Sequence, residues 1–172
     1  MIAYRAAGPE DAAAIDAIFR TSFTDTFGHL YSPEDLAAFL SGFTEETWRA
    51  ELSGPDYAFR LAEEDGRAVG YLKLGPTSLP HVGPEPAIEL KQFYLLSRWQ
   101  GRGAAAVLMD WALDEARRRG AEAIYLSVFI DNHRARRFYE RYGFSCLGPY
   151  AFMVGNHADE DQVLRLSLKD QT

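Results

Sequence analysis

The sequence predicts an α/β (α+β) domain with a mixed central sheet of about seven strands flanked by helices. The order of the sequence patterns is the first observation: three helices and two strands precede an alternating strand, helix, strand, helix segment and two final strands. That alternation implies one parallel crossover in the sheet. The second observation is size, since 172 residues with 47% hydrophobic content fill one sizeable core. We therefore expect residues 1–172 to form a single domain.

The first third of the chain is predicted to be mainly helical after a short strand at 2–7. Three stretches combine Pro, Ser or Thr with acidic residues, as helix N-termini do; they are Gly8–Asp11, Ser32–Asp35 and Thr44–Glu46. We expect the first helix to end near Phe23 and the third near Gly54.

A β-hairpin and an irregular loop are predicted in the middle of the chain. Strand-like runs cover 57–63 and 67–74, and the connection Glu64-Asp65-Gly66 has the composition of a hairpin turn. Residues 75–86 contain four prolines and two glycines, which favour an irregular loop.

The remaining half alternates strands and helices. Strands are predicted at 87–96, 123–130, 144–154 and 162–168, and helices at 101–119 and 132–142. The first of these helices has an apolar face at helical spacing, formed by Ala104, Val107, Leu108, Trp111 and Ala112. The second has a stripe of Ala135, Phe138, Tyr139 and Tyr142, a pattern more typical of core packing than of chemistry.

Composition argues against several functional classes. The formal net charge of −7 disfavours a general nucleic-acid binder, which needs clustered Lys and Arg. No apolar run is long enough to span a membrane, and the N-terminus lacks a secretory-signal pattern, so a cytoplasmic location is expected. The single cysteine, Cys146, cannot form an internal disulfide. The four histidines show no metal-binding spacing, so no metal is expected.

The glycine-containing segment Gln100–Ala105 lies between a predicted strand and the start of a predicted helix. Amide groups at a helix N-terminus bind phosphate oxygens, but the glycines could equally serve only to relieve backbone strain. A dinucleotide fold is disfavoured because only 66 residues follow Ala106, and no Walker-A sequence is present.

A second motif follows a buried strand and consists of Asn132, Ala135 and Tyr139 at helical spacing. Its presence makes the functional interpretation of the glycine turn more specific. Together, Gln100-x-x-Gly103-x-Ala105 and Asn132-x-x-Ala135-x-x-x-Tyr139 resemble the two signature motifs of the GNAT superfamily of acyl-CoA-dependent N-acetyltransferases. The predicted order of elements is similar to that family over almost the whole chain. The resemblance implies a mostly antiparallel sheet with a splayed cofactor cleft between the fourth and fifth strands.

The same resemblance implies that acetyl-CoA is the co-substrate and assigns its binding residues. The backbone of Phe93, Tyr94 and Leu95 would pair with the pantetheine arm, and Asn132 would contact the arm from the other side. The amides of Gly101, Arg102, Gly103, Ala104 and Ala105 would hold the pyrophosphate, and Gln100 is assigned to the same cofactor-binding set. Arg102 and Arg141 are candidates for the CoA phosphates, although ordinary surface charge explains them equally well.

Attack on the thioester requires a neutral amine, and an alkylamine with a pKa near 10.4 is almost wholly protonated at about pH 7. Glu89 aligns with the catalytic glutamate of several family members and is the predicted base, acting directly or through water. Strand alternation predicts that Glu89 shares a face with Lys91, Phe93 and Leu95. The alternative is a surface carboxylate paired with Lys91.

The predicted reaction is direct attack through a tetrahedral intermediate. The Leu95 N–H is expected to stabilise the oxyanion, and Tyr139 to protonate the leaving CoA thiolate. No nucleophile motif supports a covalent enzyme intermediate.

The acceptor is predicted to be a small cationic amine. Residues 1–86 contain 6 Lys/Arg and 14 Asp/Glu, an acidic balance that suits a cation. The segments Phe23–Phe27, Ser32–Glu34 and Phe152–Gly155, together with Asp161, resemble the PaiA-like polyamine acetyltransferases. A peptide or protein amine and a non-catalytic acyl-CoA-binding module remain as alternatives, and the resemblance leaves a homodimer open.

Overall fold

Seven strands and five α-helices make up the fold, which a computed structural model describes for residues 1–169. The strands are β1 (Ile2–Ala6), β2 (Ala58–Glu64), β3 (Arg67–Gly75), β4 (Ala87–Leu95), β5 (Ala123–Phe129), β6 (Ser145–Val154) and β7 (His157–Ser167). The helices are α1 (Ala12–Phe27), α2 (Pro33–Ser41), α3 (Glu45–Ser53), α4 (Ala104–Arg118) and α5 (His133–Tyr142). The strands form one sheet in the order β1-β2-β3-β4-β5-β7-β6. Within residues 1–169, β4 and β5 are the single parallel pair, so the mostly antiparallel prediction is confirmed.

The helix and hairpin signals in the first half of the chain act as expected. Ser32 caps α2 by accepting a hydrogen bond from the Asp35 amide at 3.1 Å. The β2–β3 hairpin turns at Asp65 and Gly66, which have positive φ angles of 52° and 74°. Helix α1 extends to Phe27, beyond its predicted end, because the Phe27 ring continues the apolar side of the helix and packs 5.3 Å from that of Phe23.

Helices cover both faces of the sheet, and each face has its own core. Buried residues of α4 pack on one face, where the predicted stripe of α5 also lies. Helices α1 and α3 pack on the other face, around Phe19, Trp48 and Tyr71. Val107, predicted for the apolar face of α4, is instead 43% exposed, because its side of the helix turns away from the sheet.

Strand β4 contains a bulge at Lys91. On β3, Lys73 is opposite Gln92, but the next residue, Leu74, is opposite Leu90. Lys91 is therefore the extra residue that defines a β-bulge. A bulge bends the strand and reverses the alternation of side chains beyond it.

This bulge makes the predicted shared face of Glu89, Phe93 and Leu95 wrong. Leu90 and Leu95 both belong to the core beneath α4, although five positions separate them. Glu89 lies opposite Tyr125 on β5 and points to the other face of the sheet. The sequence prediction assumed strict alternation of side chains along β4, which does not include the reversal that the bulge causes.

The predicted splay between β4 and β5 begins just before the bulge. The parallel pairing is confined to Ala87 with Ala123, Ile88 with Ile124 and Glu89 with Tyr125. Beyond Glu89 the two strands separate, and the second half of β4 has β3 as its neighbour. A cleft thus opens at the carboxyl end of the parallel pair.

Strand β7 begins at His157, earlier than the predicted start at 162. Gly155 and Asn156 form a tight turn, and β6 and β7 pair along their length from Val154 opposite His157. Asp159 and Asp161 consequently lie on a central strand and not in a loop. Within residues 1–169, none of the helices combines the length and the apolar character that crossing a membrane requires.

Candidate functional site

A cavity of about 760 Å³ occupies the cleft between β4 and β5. Its wall on one side is the second half of β4, and on the other it is the end of β5 and the first turns of α5. The glycine turn before α4 closes one end, and residues of α1, α2 and β7 line the opposite end. We call the end at the glycine turn the donor half and the end lined by α1, α2 and β7 the acceptor half.

The turn at the donor end has the backbone geometry of a helix N-terminus that is open to a ligand. Gly101 and Gly103 have φ angles of +74° and +87°, in the left-handed region that favours glycine. Gly103 immediately precedes α4, so the first amides of this helix have no partner in the preceding turn of helix. Gly101, Gly103 and Ala105 all line the cavity. This arrangement suits the oxygens of a pyrophosphate.

Gln100 links the three elements that meet at this turn. Its Nε2 donates a hydrogen bond to the Leu95 carbonyl at 3.0 Å, and its Oε1 accepts one from Arg134 Nη1 at 2.5 Å. The side chain therefore ties the end of β4 to the start of α5. It fixes the width of the cleft at the point where the ligand's phosphates are expected.

Two residues of the predicted phosphate site lie outside the cavity lining. Arg102 is exposed and makes an ion pair with Glu64 at 3.3 Å, and Ala104, the first residue of α4, is buried in the core between this helix and the sheet. Arg141 does line the cavity, where its guanidinium stands 6.0 Å from the centre of the Phe138 ring.

The predicted residues of α5 reach the cavity from one wall. Asn132 caps the helix through its Oδ1, which accepts a hydrogen bond from the Ala135 amide at 3.3 Å. Tyr139, two turns further along, packs against Phe138 and Phe144. Burial raises the pKa of Tyr139 above its ordinary value, which keeps the phenol protonated at neutral pH.

The backbone of β4 turns hydrogen-bonding groups toward the cleft. The Leu96 amide donates to the Val69 carbonyl on β3 at 2.9 Å. Antiparallel hydrogen bonds alternate along a strand, so the amides of Leu95 and Phe93 point away from β3. Because β5 has separated here, both amides face the cavity, which Phe93, Tyr94 and Leu95 line.

Glu89 is buried but is not among the cavity-lining residues. Its Oε1 accepts hydrogen bonds from the amide and hydroxyl of Ser78, at 2.8 and 3.2 Å. Its Oε2 is 3.3 Å from Lys91 Nζ. Both oxygens are thus engaged, and they anchor the proline-rich loop 76–86 to β4.

The acceptor half contains residues of Phe23–Phe27 and Phe152–Gly155, together with Asp161, all singled out from the sequence, and several others that were not predicted. Its walls are largely aromatic: Phe19, Phe23, Phe27, Tyr31, Phe39, Phe43 and Phe152. Ser22 also lines it, and within residues 1–169 the buried Ser22 hydroxyl has no hydrogen-bond partner. The carboxylates of Asp159 and Asp161 supply the negative charge.

Asp159 is held by groups of the protein itself. Tyr31 donates a short hydrogen bond to its Oδ2, and His157 Nε2 lies 3.2 Å from its Oδ1. Burial and this carboxylate raise the pKa of Tyr31. The contact connects the segment before α2 to β7 across the mouth of the acceptor half.

Asp161 is in a different environment from Asp159. It is 7% exposed and has no Lys, Arg or His partner within residues 1–169. Burial, with a smaller contribution from Asp159, raises the pKa of Asp161 to about 7, and a hydrogen bond from Ser127 lowers it. Within the same residues, no cluster of three or more His, Cys, Asp or Glu side chains could hold a metal ion.

Comparison with known proteins gives a consistent result. The model of the Acetyltransferase (GNAT) family matches residues 14–144. An uncharacterized N-acetyltransferase of Mycobacterium bovis is 35% identical over 155 residues, which cover 90% of this chain and 96% of the relative. An aminoalkylphosphonate N-acetyltransferase of Salmonella typhimurium is 33% identical over 114 residues, 64% of this chain and 68% of that one.

The fold is also similar to solved structures. The PaiA N-acetyltransferase of Thermoplasma acidophilum, determined in complex with coenzyme A, superposes with a TM-score of 0.78. The two chains are 20% identical, and the match covers 97% of this chain and 99% of that one. The seven-stranded sheet and its flanking helices are therefore shared.

Proposed function

The chain belongs to the GNAT acetyltransferase family, and we propose that it transfers the acetyl group of acetyl-CoA to a small cationic primary amine, with polyamines favoured. The observation that carries this proposal is the continuity of one cavity. A groove of backbone amides at one end leads to a buried carboxylate, Asp161, at the other, and this carboxylate has no cationic partner among residues 1–169. Such a cavity suits an anionic donor and a cationic acceptor that meet in the middle.

The donor half offers contacts along the whole length of acetyl-CoA. The amides of Phe93 and Leu95 would pair with the pantetheine arm as a neighbouring strand does. The amides at Gly101, Gly103 and Ala105 would bind the pyrophosphate, and Asn132 would contact the arm from α5. Arg141 would add positive charge beside the phosphates.

The two groups proposed for the chemical step lie on opposite walls of the cleft. The acceptor amine would attack the thioester carbonyl carbon directly, and the Leu95 amide would stabilise the negative oxygen of the tetrahedral intermediate. When the carbon–sulfur bond breaks, the Tyr139 hydroxyl would donate its proton to the thiolate. Burial raises the pKa of Tyr139, so the phenol is protonated at neutral pH and its proton is present when the thiolate forms.

Two observations favour a small amine as the acceptor. The acceptor half is lined by aromatic side chains of α1 and α2, which suit a short alkyl chain better than a polar peptide backbone. The Salmonella relative is named for an aminoalkylphosphonate, a small molecule that carries an amino group. Aromatic faces also attract an alkylammonium ion through cation–π interactions.

Glu89, the base expected from the sequence, would act only through intervening water. Its oxygens are engaged by Ser78 and Lys91, and the residue does not line the cavity. This role remains a hypothesis that a pH profile can test.

Release of the CoA thiol from acetyl-CoA is the measurement that tests the function. The panel contains spermidine, spermine, putrescine, 2-phenylethylamine, an aminoalkylphosphonate, a lysine peptide and a peptide with a free N-terminus. We expect turnover with the small amines and little with the peptides. Turnover with peptides alone would overturn the proposed acceptor class, and acetyl-CoA binding without any turnover would favour a non-catalytic module.

A further inference from the structure

We propose that Asp161 is a catalytic residue that pairs with the ammonium group of the acceptor and removes its proton before the attack on acetyl-CoA. This inference rests on the proposed function, which it deepens by assigning the acceptor's counter-ion and base. It also identifies the acceptor end of the cavity as the site for the reacting ammonium group of the acceptor.

The missing cation beside Asp161 is the first argument. Four carboxylates are buried within residues 1–169, and three of them have a basic partner: Asp11 bonds Arg5 at 2.8 Å, Glu89 bonds Lys91 at 3.3 Å and Asp159 contacts His157 at 3.2 Å. Asp161 alone among them lines the cavity without such a partner. A buried carboxylate is costly to ionise unless a cation joins it. The acceptor ammonium is the cation that the reaction itself would bring.

The position of Asp161 relative to the donor half is the second argument. Asp161 lies opposite Phe129, the last residue of β5, at the point where β5 has separated from β4. Tyr94 of β4, Tyr139 of α5 and Asp161 all line this one cavity. The proposed base and the proposed acid therefore face the same space, in which the donor and the acceptor would meet.

The rest of the acceptor pocket provides contacts for the amine and its substituent. Ser22 presents a buried hydroxyl that has no partner in the described part of the chain and can accept a second hydrogen bond from an ammonium group. Rings of Phe23 and Phe27 on the same helix lie beside it and suit an alkyl chain. The unsatisfied hydroxyl is an observation independent of the carboxylates, and it too indicates a polar ligand.

The proton transfers balance as follows. Ionised Asp161 accepts one proton from the ammonium group, and the neutral nitrogen forms a bond to the thioester carbonyl carbon. Collapse of the intermediate breaks the carbon–sulfur bond, and the thiolate takes the Tyr139 proton. The tyrosinate recovers a proton from the nitrogen of the nascent amide, and Asp161 releases its proton to solvent. The products are the acetylated amine, CoA with a free thiol and one proton.

The ionisation of Asp161 suits this role. A base works best when its pKa is close to the working pH, and the pKa of Asp161 is about 7. The titratable groups that face it are Asp159 and its partner His157, together with the phenols of Tyr31, Tyr94 and Tyr150. Burial raises the pKa of each of these phenols, so they stay neutral between about pH 5 and 9. His157 is the remaining ionisable group of this set, so the test includes a His157 variant as a control.

Calorimetry tests the counter-ion without relying on turnover. Protein saturated with CoA is titrated with spermidine and, separately, with 2-phenylethylamine, in buffers of different ionisation enthalpy at pH 6 and pH 8. At pH 6 most Asp161 is protonated, so binding of an ammonium group should release about one proton, and at pH 8 almost none. Asp161→Asn should abolish the release at pH 6. Asp25→Asn, which removes an exposed carboxylate of α1, should retain it, as should His157→Gln.

Kinetics with the same variants separates this proposal from the proposed function. We expect Asp161→Asn to lower kcat/KM by about 100-fold or more and to remove the rise in kcat/KM near pH 7. If proton release depends on Asp161 but neither amine is acetylated, the role of Asp161 as counter-ion would stand and the proposed acetyl transfer would be overturned. Acetyl transfer with an unchanged pH profile in Asp161→Asn would overturn the role of Asp161 and leave the reaction standing. Failure of both amines to bind the wild-type protein would overturn the ammonium site.

Discussion

Tyr31 donates a hydrogen bond to Asp159 and thereby joins the segment between α1 and α2 to strand β7. The two residues are 128 positions apart in the sequence. Their contact closes one side of the acceptor half, while the Tyr31 ring stacks on Phe23 with an interplanar angle of 7°. The shape of the pocket therefore depends on a hydrogen bond to a charged group and not only on apolar packing.

Replacing Tyr31 by Phe should affect the acceptor more than the donor. The change removes a hydrogen bond to a carboxylate, which typically contributes about 1.5–3 kcal/mol to stability. We expect a lower free energy of unfolding, a raised KM for the amine and an unchanged KM for acetyl-CoA. Tyr4→Phe, on the edge strand β1, is the matched control and should leave both KM values unchanged. Equal increases in both KM values would contradict the division of the cavity into two halves.

Asp161→Asn should stabilise the protein at alkaline pH while it impairs catalysis. The folded-state pKa of about 7 is above the ordinary value of 3.8, so the folded chain binds this proton more tightly than the unfolded chain does. The corresponding stability is present below about pH 4 and is lost as the pH rises through about 7. At pH 8 the ionised Asp161 therefore costs up to about 4 kcal/mol, which the neutral amide avoids.

Urea unfolding at pH 5 and pH 8 measures this effect. The gain in unfolding free energy of Asp161→Asn over the wild type should be larger at pH 8 than at pH 5. Asp25→Asn, at an exposed position, should show no such difference. A variant that is equally destabilised at both pH values would mean that Asp161 has a structural partner in the folded chain.

The predictable parts of the fold are those governed by local signals. Helix caps such as Ser32 and the turn at Asp65 and Gly66 act within a few residues, so the sequence patterns locate them. The β4 bulge at Lys91 depends on pairing with β3 and changes no local pattern. The early start of β7 was missed because its first residues are polar. Asp159 and Asp161 are buried there by neighbouring strands and, for Asp159, by Tyr31, and these contacts are distant in the sequence.

The donor half was largely predictable, and the acceptor half was not. Gly101, Gly103 and Asn132 are required by backbone geometry at helix N-termini, which leaves a fixed spacing in the sequence. The acceptor pocket combines α1, α2 and β7, whose side chains meet only after folding. Of these residues, Asp161 was singled out by the resemblance to PaiA-like enzymes. Residues 159–161 are all acidic, so the burial of Asp159 and Asp161 on either side of exposed Glu160 becomes visible only in the folded sheet.

Tyr139→Phe should lower kcat by about 100-fold with little change in the affinity for acetyl-CoA. The phenyl ring keeps the packing against Phe138 and Phe144 but has no proton for the thiolate. Tyr142→Phe is the matched control on the same helix, because the Tyr142 hydroxyl bonds Asp110 and the residue is not in the cavity lining. Single-turnover kinetics and acetyl-CoA titration separate the two effects. An unchanged kcat in Tyr139→Phe would exclude the phenol as the acid.

Glu89→Gln tests which carboxylate is the base: Glu89, as the sequence predicts, or Asp161. The variant loses the ion pair with Lys91 but keeps an oxygen that can accept from Ser78. We expect the rise in kcat/KM near pH 7 to stay at the same pH, since Asp161 is intact. A shifted or missing rise in the pH profile would assign the base to Glu89 acting through water.

Gly103→Ala should weaken acetyl-CoA binding through the backbone alone. Gly103 has a φ of +87°, and a Cβ atom there would meet nothing within 4 Å, so the cost is conformational and not steric crowding. An L-residue in this region costs about 1–2 kcal/mol, and the turn can release that strain by rotating its amides out of the phosphate position. The KM for acetyl-CoA should then rise by roughly tenfold.

Gly120→Ala, at the other end of α4, has a φ of +81° and equally open surroundings, so it matches the strain without touching the cavity. We expect similar losses of stability in the two variants and a raised KM for acetyl-CoA only in Gly103→Ala, which would separate phosphate binding from helix stability. An equal KM for acetyl-CoA in both variants would mean that the amides of this turn do not bind the donor.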